Sequence, residues 1–288
     1  MVLDGGLATE LERRGADLKD PLWSAKMLVE DPDAIAEIHA AYFDAGADVA
    51  ISASYQATFE GLAGRGIDRT DAATLMRRSV ELAREVAGVE RLVAGSIGPY
   101  GAMLGNGAEY TGDYDKAEDE LVEFHVPRLE ALAEAGPDVF AVETIPSFVE
   151  ARALVRALEK VPEIPAWVSF SCRDGGHICD GTSIGSAVEV VTTAPGVVAV
   201  GVNCTSPLHV ERLVETISAT TMKPVVCYPN RGSFWDPMRK TWTDPPRQDA
   251  RPPLRPLAWK EAGASLIGGC CGTTPEDIAA AAEALGRT

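Results

Sequence analysis

The chain has 288 residues, of which 46% are apolar and 24% charged, and its formal net charge is −17. These values are ordinary for a globular protein that buries a sizeable core. Lys and Arg number 26 against 43 Asp and Glu, so the surface lacks the basic face that nucleic-acid binding needs. We therefore expect no nucleic-acid partner.

The beginning of the chain and its cysteines indicate a compartment. The first residues have neither the basic nor the apolar segment of a signal peptide, and no apolar run reaches the roughly 18 residues of a membrane span. The six cysteines lie between residues 172 and 271, which suits reduced thiols better than a disulfide framework. These features predict a cytoplasmic protein with no membrane partner, and they leave the oligomeric state open.

Short β-branched segments alternate with helical segments rich in Ala, Leu, Glu and Arg, which is typical of βα units. Several of the strands are apolar nearly throughout, as expected for a parallel sheet covered on both faces. The predicted strands are 2–5, 48–54, 91–98, 138–144, 166–172, 197–204, 223–230 and 264–271. The predicted helices are 32–45, 70–87, 115–135, 147–160, 183–193, 207–220 and 275–286.

Eight predicted strands that alternate with helices favour a (β/α)8 barrel, in one domain over residues 1–288, with its chemistry at the carboxyl ends of the strands. The alternative is an open, doubly wound sheet. That fold would need a phosphate-binding fingerprint at the first turn, and Gly5-Gly6-Leu7-Ala8-Thr9 is not one. Two long connections, 98–114 and 229–257, are predicted to lie over the same barrel face as functional loops.

Three cysteines stand at the ends of predicted strands. Cys204 ends the sixth strand, and Cys270 and Cys271 end the eighth. One strand separates these two in a barrel, so their carboxyl ends can approach a common point. Consecutive strand residues point to opposite faces, so the pair can share one ion only if the backbone bends, which the flanking glycines permit.

Three thiolates suit Zn²⁺ and leave its fourth tetrahedral position open, as in a catalytic site. No histidine lies at a strand end, so the site differs from those that activate water. A thiolate-rich site would instead keep a substrate thiol ionised and nucleophilic, which points to S-alkylation. The alternative is that these cysteines are small buried core residues.

Several motifs resemble the homocysteine S-methyltransferase family over nearly the whole chain. They are DGGLATEL from Asp4, GVNC from Gly201 and GGCCGTTP from Gly268. The segments 52–58, 96–101 and 109–114 further resemble the branch that uses S-methylmethionine. The resemblance implies a (β/α)8 barrel with Cys204, Cys270 and Cys271 as zinc ligands. The chain departs from the branch at Gly272, where arginine is frequent, and at Arg231, where a small residue is commoner.

The ammonium group of homocysteine needs a counter-charge, and Asp4 and Glu143 end the first and fourth predicted strands. The backbone amides near Gly5, Gly6 and Thr144 are candidates for its carboxylate. A sulfonium donor is a soft cation, which favours aromatic faces beside it. The residues assigned to the homocysteine site are Asp4, Gly5, Gly6, Thr9, Glu143, Thr144 and Asn203. Those assigned to the donor are Tyr55, Tyr100, Tyr110 and Trp235.

The first hypothesis is therefore a cytoplasmic, zinc-dependent methyltransferase that makes methionine from homocysteine and a sulfonium donor, S-methylmethionine or S-adenosylmethionine. Within the family the rival donor is betaine, and the rival acceptor is selenocysteine or another thiol. The alternative from a different class is a non-catalytic protein in which the cysteines hold structural zinc or sense redox conditions.

Overall fold

Parallel strand pairing gives this chain its shape. The structure is a computed structural model that describes residues 1–232, 234–236, 241–243 and 253–287. In the main sheet, seven parallel strands pair in the order β1-β2-β3-β4-β5-β6-β9. They are β1 Val49–Ile51, β2 Leu92–Ile97, β3 Val139–Ile145, β4 Ala166–Phe170, β5 Val197–Asn203, β6 Val225–Tyr228 and β9 Ala264–Ile267.

The first residues of the chain close this sheet into a barrel. Val2 pairs with Ile267 of β9 and Leu3 pairs with Val49 of β1, both in parallel. The Leu3 amide donates to the Ile267 carbonyl at 2.9 Å, and the Asp4 amide donates to the Val49 carbonyl at 3.1 Å. The predicted (β/α)8 barrel is therefore confirmed. Its first strand is shorter than expected because the chain turns into a helix soon after this bridge.

The predicted helices are confirmed, with small shifts at their ends. The one expected to begin after Thr274 does so, because the Thr274 amide donates to Asp277 Oδ2 at 3.2 Å and caps the first turn. The helices are α1 Leu7–Arg13, α2 Met27–Glu30, α3 Pro32–Asp44, α4 Phe59–Ala63, α5 Arg69–Ala87, α6 Tyr100–Met103, α7 Glu118–Ala133, α8 Phe148–Leu158, α9 Ile184–Thr192, α10 Pro207–Thr220, α11 Pro256–Glu261 and α12 Pro275–Ala284, with 3₁₀ turns at Trp23–Lys26 and Ala108–Tyr110. Among the described residues, no helix combines the length and the apolar character needed to cross a membrane.

The two long connections contain short elements that the sequence pattern did not predict. The first, after β2, holds α6 and the 3₁₀ turn Ala108–Tyr110. The second holds an antiparallel pair, β7 Phe234–Asp236 with β8 Thr241–Thr243, and leads into α11. The rest of the predicted 229–257 loop lies largely outside the described residues, and so does the side chain of Trp235.

The barrel interior changes from apolar to polar along the strands. Residues that alternate on the inner face at the amino-terminal side form a small apolar cluster that includes Leu3, Val49, Ala141 and Trp167. Two residues further along β2, β3, β4 and β6, the inward positions are polar or can hydrogen-bond. These buried residues are Ser96, Glu143, Ser169 and Tyr228. The polar end of the interior is thus the carboxyl end of the strands, where a barrel site is expected.

A buried arginine ties two strand-end loops to the helical layer. Arg128 of α7 is 1% exposed, and its guanidinium donates to the carbonyls of Ala57, Gly98 and Tyr55 at 3.2, 2.8 and 3.1 Å. Burial lowers the pKa of Arg128 to about 10, which still leaves it charged at neutral pH. Three carbonyl partners compensate its desolvation, so the loop that carries Tyr55 is held in place.

β5 and β6 approach so closely at Gly201 that even a methyl group there is expected to destabilise the fold. A Cβ at Gly201 in β5 would lie 1.7 Å from the Val226 carbonyl oxygen, whereas one at Gly196 would meet nothing within 4 Å. We expect Gly201→Ala to lower the free energy of unfolding by about 3 kcal/mol, because the methyl group must push β5 away from β6. Gly196→Ala is the matched control, and urea denaturation of both compares them. Equal midpoints for the two variants would contradict the strand register described above.

Candidate metal centre

The three cysteines predicted as ligands meet at the carboxyl end of the barrel. Cys204 follows β5, and Cys270 and Cys271 follow β9. The Sγ atom of Cys271 lies 3.7 Å from that of Cys204 and 4.0 Å from that of Cys270, and all three sulfurs lie within 4.8 Å of one another. Zinc–sulfur bonds of about 2.3 Å in a tetrahedron place sulfurs about 3.8 Å apart. The donor set therefore fits a tetrahedral, thiophilic metal ion.

Left-handed backbone at the strand ends turns these sulfurs toward one point. Cys204 has φ 48° and Gly272 has φ 80°. This conformation costs a non-glycine residue about 1 kcal/mol, and hydrogen bonds hold the chain there. The Cys204 amide donates to the Tyr228 carbonyl at 3.2 Å, and the Cys270 amide donates to the Pro229 carbonyl at 2.8 Å. The bend that the glycines were expected to permit is thus present on both sides of the cluster.

The two departures from the family pattern are neighbours in space. A Cβ added at Gly272 would lie 3.0 Å from the Cβ of Arg231. The Arg231 side chain turns to α12, where its Nε donates to Asp277 Oδ1 at 3.0 Å. Any larger residue at 272 would therefore meet both the left-handed backbone and Arg231.

One sulfur of the cluster is favoured as a thiolate. Hydrogen bonds from Cys270 and Cys271 lower the pKa of Cys204, and the Tyr110 hydroxyl, 3.1 Å from its Sγ, lowers it further. The same bonds to the Cys204 sulfur raise the pKa of Cys270 and of Cys271. Binding of a metal to all three sulfurs must therefore release the remaining protons.

Two buried carboxylates, those of Asp4 and Glu143, lie in the same cavity as the cysteines. Asp4 Oδ2 accepts a hydrogen bond from the Ile51 amide at 2.8 Å, while its Oδ1 is shielded from solvent and has no hydrogen-bond partner among the described residues. Burial raises the pKa of Asp4, and the charge of Glu143 raises it further. Glu143 accepts hydrogen bonds from Ser96 and Tyr228, and burial raises its pKa to about 7. A cation between them would lower the energetic cost of both buried charges.

Asn203 and Thr144 brace each other beside the cluster. Asn203 Oδ1 accepts from the Thr144 amide and its Nδ2 donates to Thr144 Oγ1, both at 2.7 Å. This pair holds Thr144 in the left-handed region at φ 62°, which is unusual for a β-branched residue. The Gly6 amide is also engaged, since it donates to Thr273 Oγ1 at 3.0 Å. Both N–H groups thus bind protein oxygens, and the role of the amides near Gly5, Gly6 and Thr144 toward a substrate carboxylate stays a prediction.

The cavity above the cysteines has a volume of about 280 Å³. Of the aromatic residues predicted for a donor, Tyr55 and Tyr110 line it. Tyr100 does not, because its ring packs against Phe124 and Tyr114 with centroids 5.0 and 5.5 Å away. The predicted homocysteine-site residues Gly5 and Thr9 also lie in the cavity wall, where Thr9 Oγ1 accepts from the Gly272 amide at 2.8 Å.

Among the cavity residues that the sequence did not predict, three have side chains suited to binding. Trp23, in a 3₁₀ turn, contacts Tyr55 edge to face with ring centroids 6.4 Å apart. Tyr228 lines the cavity from β6, and Glu109 lines it from the loop after β2. Tyr228 ends an apolar strand, so its position alone was a signal. Trp23 and Glu109 carried no periodic signal, since they lie in short turns.

Comparison with known proteins agrees with this geometry. The sequence model of the family described as Homocysteine S-methyltransferase matches residues 1–285. The chain belongs to the homocysteine S-methyltransferase family, whose members are methyltransferases.

Two relatives and one solved structure illustrate how closely this family resembles the chain. Homocysteine S-methyltransferase YbgG of Bacillus subtilis (strain 168) is 47% identical over 290 residues, which cover 96% of this chain and 92% of the relative. Selenocysteine Se-methyltransferase of Brassica oleracea var. italica is 43% identical, covering 97% of this chain and 88% of the relative. The crystal structure of the homocysteine methyltransferase MmuM from Escherichia coli in its metallated form superposes with a TM-score of 0.87 at 44% identity, covering 99% and 96% of the two chains.

The cluster predicts a metal content that depends on each of its cysteines. We expect the purified protein to contain about one equivalent of metal, and the Cys204→Ser, Cys270→Ser and Cys271→Ser variants to contain about a tenth or less, because three ligands are needed for a stable open site. Cys179→Ser is the control, since this half-buried cysteine lies outside the cluster. Elemental analysis by mass spectrometry measures the metal content of each protein. Full metal occupancy in the Cys271→Ser variant would exclude this cluster as the metal site.

Proposed function

We propose that this chain transfers a methyl group from a sulfonium donor, S-methylmethionine, to homocysteine, forming methionine with Zn²⁺ as the resident metal. The observation that carries the proposal is the position of three cysteine sulfurs at tetrahedral spacing, in one cavity with the two buried carboxylates of Asp4 and Glu143. S-Adenosylmethionine is a second donor of the same chemical class. We place the enzyme in the cytoplasm, since all six cysteines are free thiols.

The proposed ligands are Cys204, Cys270 and Cys271. A zinc ion on three thiolates would leave one tetrahedral position at which the homocysteine sulfur is held ionised and nucleophilic. Zinc is favoured over harder metals because the donors are all soft thiolates. The Tyr110 hydroxyl, at hydrogen-bond distance from Cys204 Sγ, stabilises the charge that collects on the sulfurs.

The amino-acid end of homocysteine is proposed to bind at the two buried carboxylates of the cavity. Its ammonium group would lie between Asp4 Oδ1, which has no partner among the described residues, and the Glu143 carboxylate. Gly5 and Thr9 form the adjoining wall. Asn203 and Thr144 shape the floor, and Asn203 acts through Thr144 and not through its own contact.

The transfer itself requires alignment more than acid or base catalysis. The bond between the methyl carbon and the donor sulfur breaks, its electron pair stays on that sulfur, and the homocysteine thiolate forms the new bond to the methyl carbon. The sulfonium becomes a neutral thioether, so no leaving group needs a proton. Tyr55, Tyr110 and Trp23 supply aromatic walls that can contact a sulfonium and exclude water, whereas Trp235 stays a sequence-based proposal.

A second acceptor is favoured by one specific observation. A relative that covers nearly the whole chain at 43% identity carries the name Selenocysteine Se-methyltransferase. A selenol ionises more readily than a thiol and would bind the same soft metal. Selenocysteine is therefore the rival acceptor, and betaine the rival donor.

A panel of donors and acceptors tests the proposal. Deuterium-labelled homocysteine is incubated with the metal-loaded enzyme and S-methylmethionine, S-adenosylmethionine or betaine, and labelled methionine is measured by mass spectrometry. Selenohomocysteine, cysteine and selenocysteine replace homocysteine in parallel. We expect the highest kcat/KM for homocysteine with S-methylmethionine. If methionine forms only with betaine, betaine is the donor. If product forms only with selenocysteine, selenocysteine is the acceptor. If no pair gives a product, the alternative of a structural or redox-sensing protein is favoured.

The ammonium-binding carboxylates predict a separable kinetic effect. We expect Glu143→Gln to raise the KM for homocysteine about 30-fold, because a buried ion pair loses one charge. The KM for the methyl donor should change much less. Glu123→Gln, an exposed change of equal charge on α7, is the control. Steady-state kinetics with each substrate varied in turn measures both constants, and an unaltered KM for homocysteine would remove Glu143 from the ammonium site.

A further inference from the structure

The cavity contains two acidic side chains that the proposed homocysteine site does not use, and one of them has no role yet. Four acidic residues line the cavity wall: Asp4, Asp20, Glu109 and Glu143. Asp20 is already satisfied, because its carboxylate lies 3.5 Å from Arg65 and accepts from the Leu22 amide at 2.9 Å. Asp4 and Glu143 are assigned to the homocysteine ammonium. Glu109 is left without a role.

A hydrogen bond and close packing hold the backbone of Glu109 in place. Its carbonyl accepts a hydrogen bond from Ser171 Oγ at 2.9 Å. The backbone of the 3₁₀ turn packs onto Gly101 so closely that a Cβ there would lie 2.7 Å from the Glu109 amide nitrogen. The turn therefore cannot rise away from α6 without losing both contacts. The carboxylate projects from a rigid support.

One oxygen of the Glu109 carboxylate, Oε2, is shielded from solvent and has no hydrogen-bond partner among the described residues. Burial raises the pKa of Glu109 to about 7, and the charge of Cys204 raises it further. A shielded carboxylate oxygen that faces a cavity and lacks a partner is costly unless a ligand supplies a cation.

The position of Glu109 separates it from the other two carboxylates. The Glu109 turn is bonded to Ser171, just after β4, whereas Asp4 accepts a hydrogen bond from Ile51 of β1 and Glu143 lies in β3. Burial raises the pKa of Tyr55, and the charges of Glu109 and Glu143 raise it further. The cavity wall thus has two anionic regions, one at Asp4 and Glu143 and one at Glu109.

Methyl transfer between two amino acids needs two such regions. Homocysteine has one ammonium group, and S-methylmethionine has an ammonium group and a sulfonium. A single anionic region, Asp4 with Glu143, binds one cation and cannot hold both substrates. We propose that Glu109 binds the positive charge of the methyl donor and thereby selects cationic sulfonium donors, an inference that rests on the proposed methyltransferase function.

Kinetics with Glu109→Gln tests this assignment. We expect the variant to raise the KM for S-methylmethionine about 30-fold through loss of a buried ion pair, and to leave the KM for homocysteine within about twofold, because Asp4 and Glu143 are intact. Glu109→Asp keeps the charge and should recover part of the donor affinity. Glu123→Gln on the surface of α7 is the charge-matched control. Thermal midpoints of all variants identify any loss of fold.

A donor without an ammonium group shows which cation Glu109 binds. Dimethylsulfoniopropionate has a sulfonium but no ammonium group. If the Glu109 carboxylate contacts the sulfonium, the KM for this donor is still higher in Glu109→Gln than in the wild type. If the carboxylate contacts the ammonium group, the two enzymes have the same KM for it. Both results support a donor site. An unchanged donor KM in a folded Glu109→Gln enzyme, or a raised KM for homocysteine alone, overturns it.

Calorimetric titration separates this proposal from the proposed function. S-Methylmethionine is titrated into the metal-loaded wild type and into Glu109→Gln without homocysteine. Weaker binding to the variant supports the role of Glu109 through a readout other than turnover. If the wild type forms methionine but the variant keeps full donor affinity, only the assignment of Glu109 is contradicted. If the wild type neither binds nor uses any sulfonium, the proposed function itself is contradicted.

Discussion

The site depends on the pairing of the first few residues with both edges of the sheet. Leu3 and Asp4 donate backbone hydrogen bonds to β9 and β1, and the Asp4 carbonyl accepts from the Gly269 amide at 3.0 Å. This last bond joins the proposed ammonium-binding residue to the segment that carries the cysteine pair. Closing the barrel and assembling the site are therefore the same event, because neither Asp4 nor Cys270 reaches its place in an open sheet.

The polar layer inside the barrel explains how charged groups are tolerated there. Ser169 Oγ lies 2.9 Å from Asn203 Oδ1 and 2.7 Å from the Tyr228 hydroxyl, and Trp167 Nε1 donates to that hydroxyl at 3.0 Å. Tyr228 in turn donates to Glu143. One connected network thus fixes the carboxylate and, through Asn203, the left-handed Thr144. An unpaired polar group in such a buried network destabilises the protein, whereas a fully hydrogen-bonded network is rigid. A site that must align two substrates requires this rigidity.

Much of this was predictable from the sequence, and the exceptions have physical causes. The βα alternation depends on local periodicity, so it predicted the barrel and its helices. The clustering of the three cysteines was predictable because a barrel places strand ends together whatever lies between them. The packing of Tyr100 outside the cavity lining was not predictable, since its position in a loop says nothing about which way the ring points. The engaged amides of Gly6 and Thr144 were missed because their partners, Thr273 and Asn203, are remote in sequence. Glu109 begins a segment that resembles the S-methylmethionine branch, but nothing in the sequence shows that its carboxylate oxygen is shielded and unpaired, which is visible only in three dimensions.

The distribution of charge in the cavity argues for the class of donor. Three thiolates neutralise more than the charge of a divalent ion, and a substrate thiolate would add a further negative charge. Asp4, Glu109 and Glu143 surround this centre, and burial raises the pKa of each of them. A neutral or anionic methyl donor would leave these charges uncompensated in a shielded cavity, where repulsion is poorly screened. A donor that brings both a sulfonium and an ammonium group compensates them, and one of these charges disappears as the methyl group transfers. The same electrostatics that binds the donor therefore weakens its hold on the product, because the thioether that remains no longer carries the sulfonium charge.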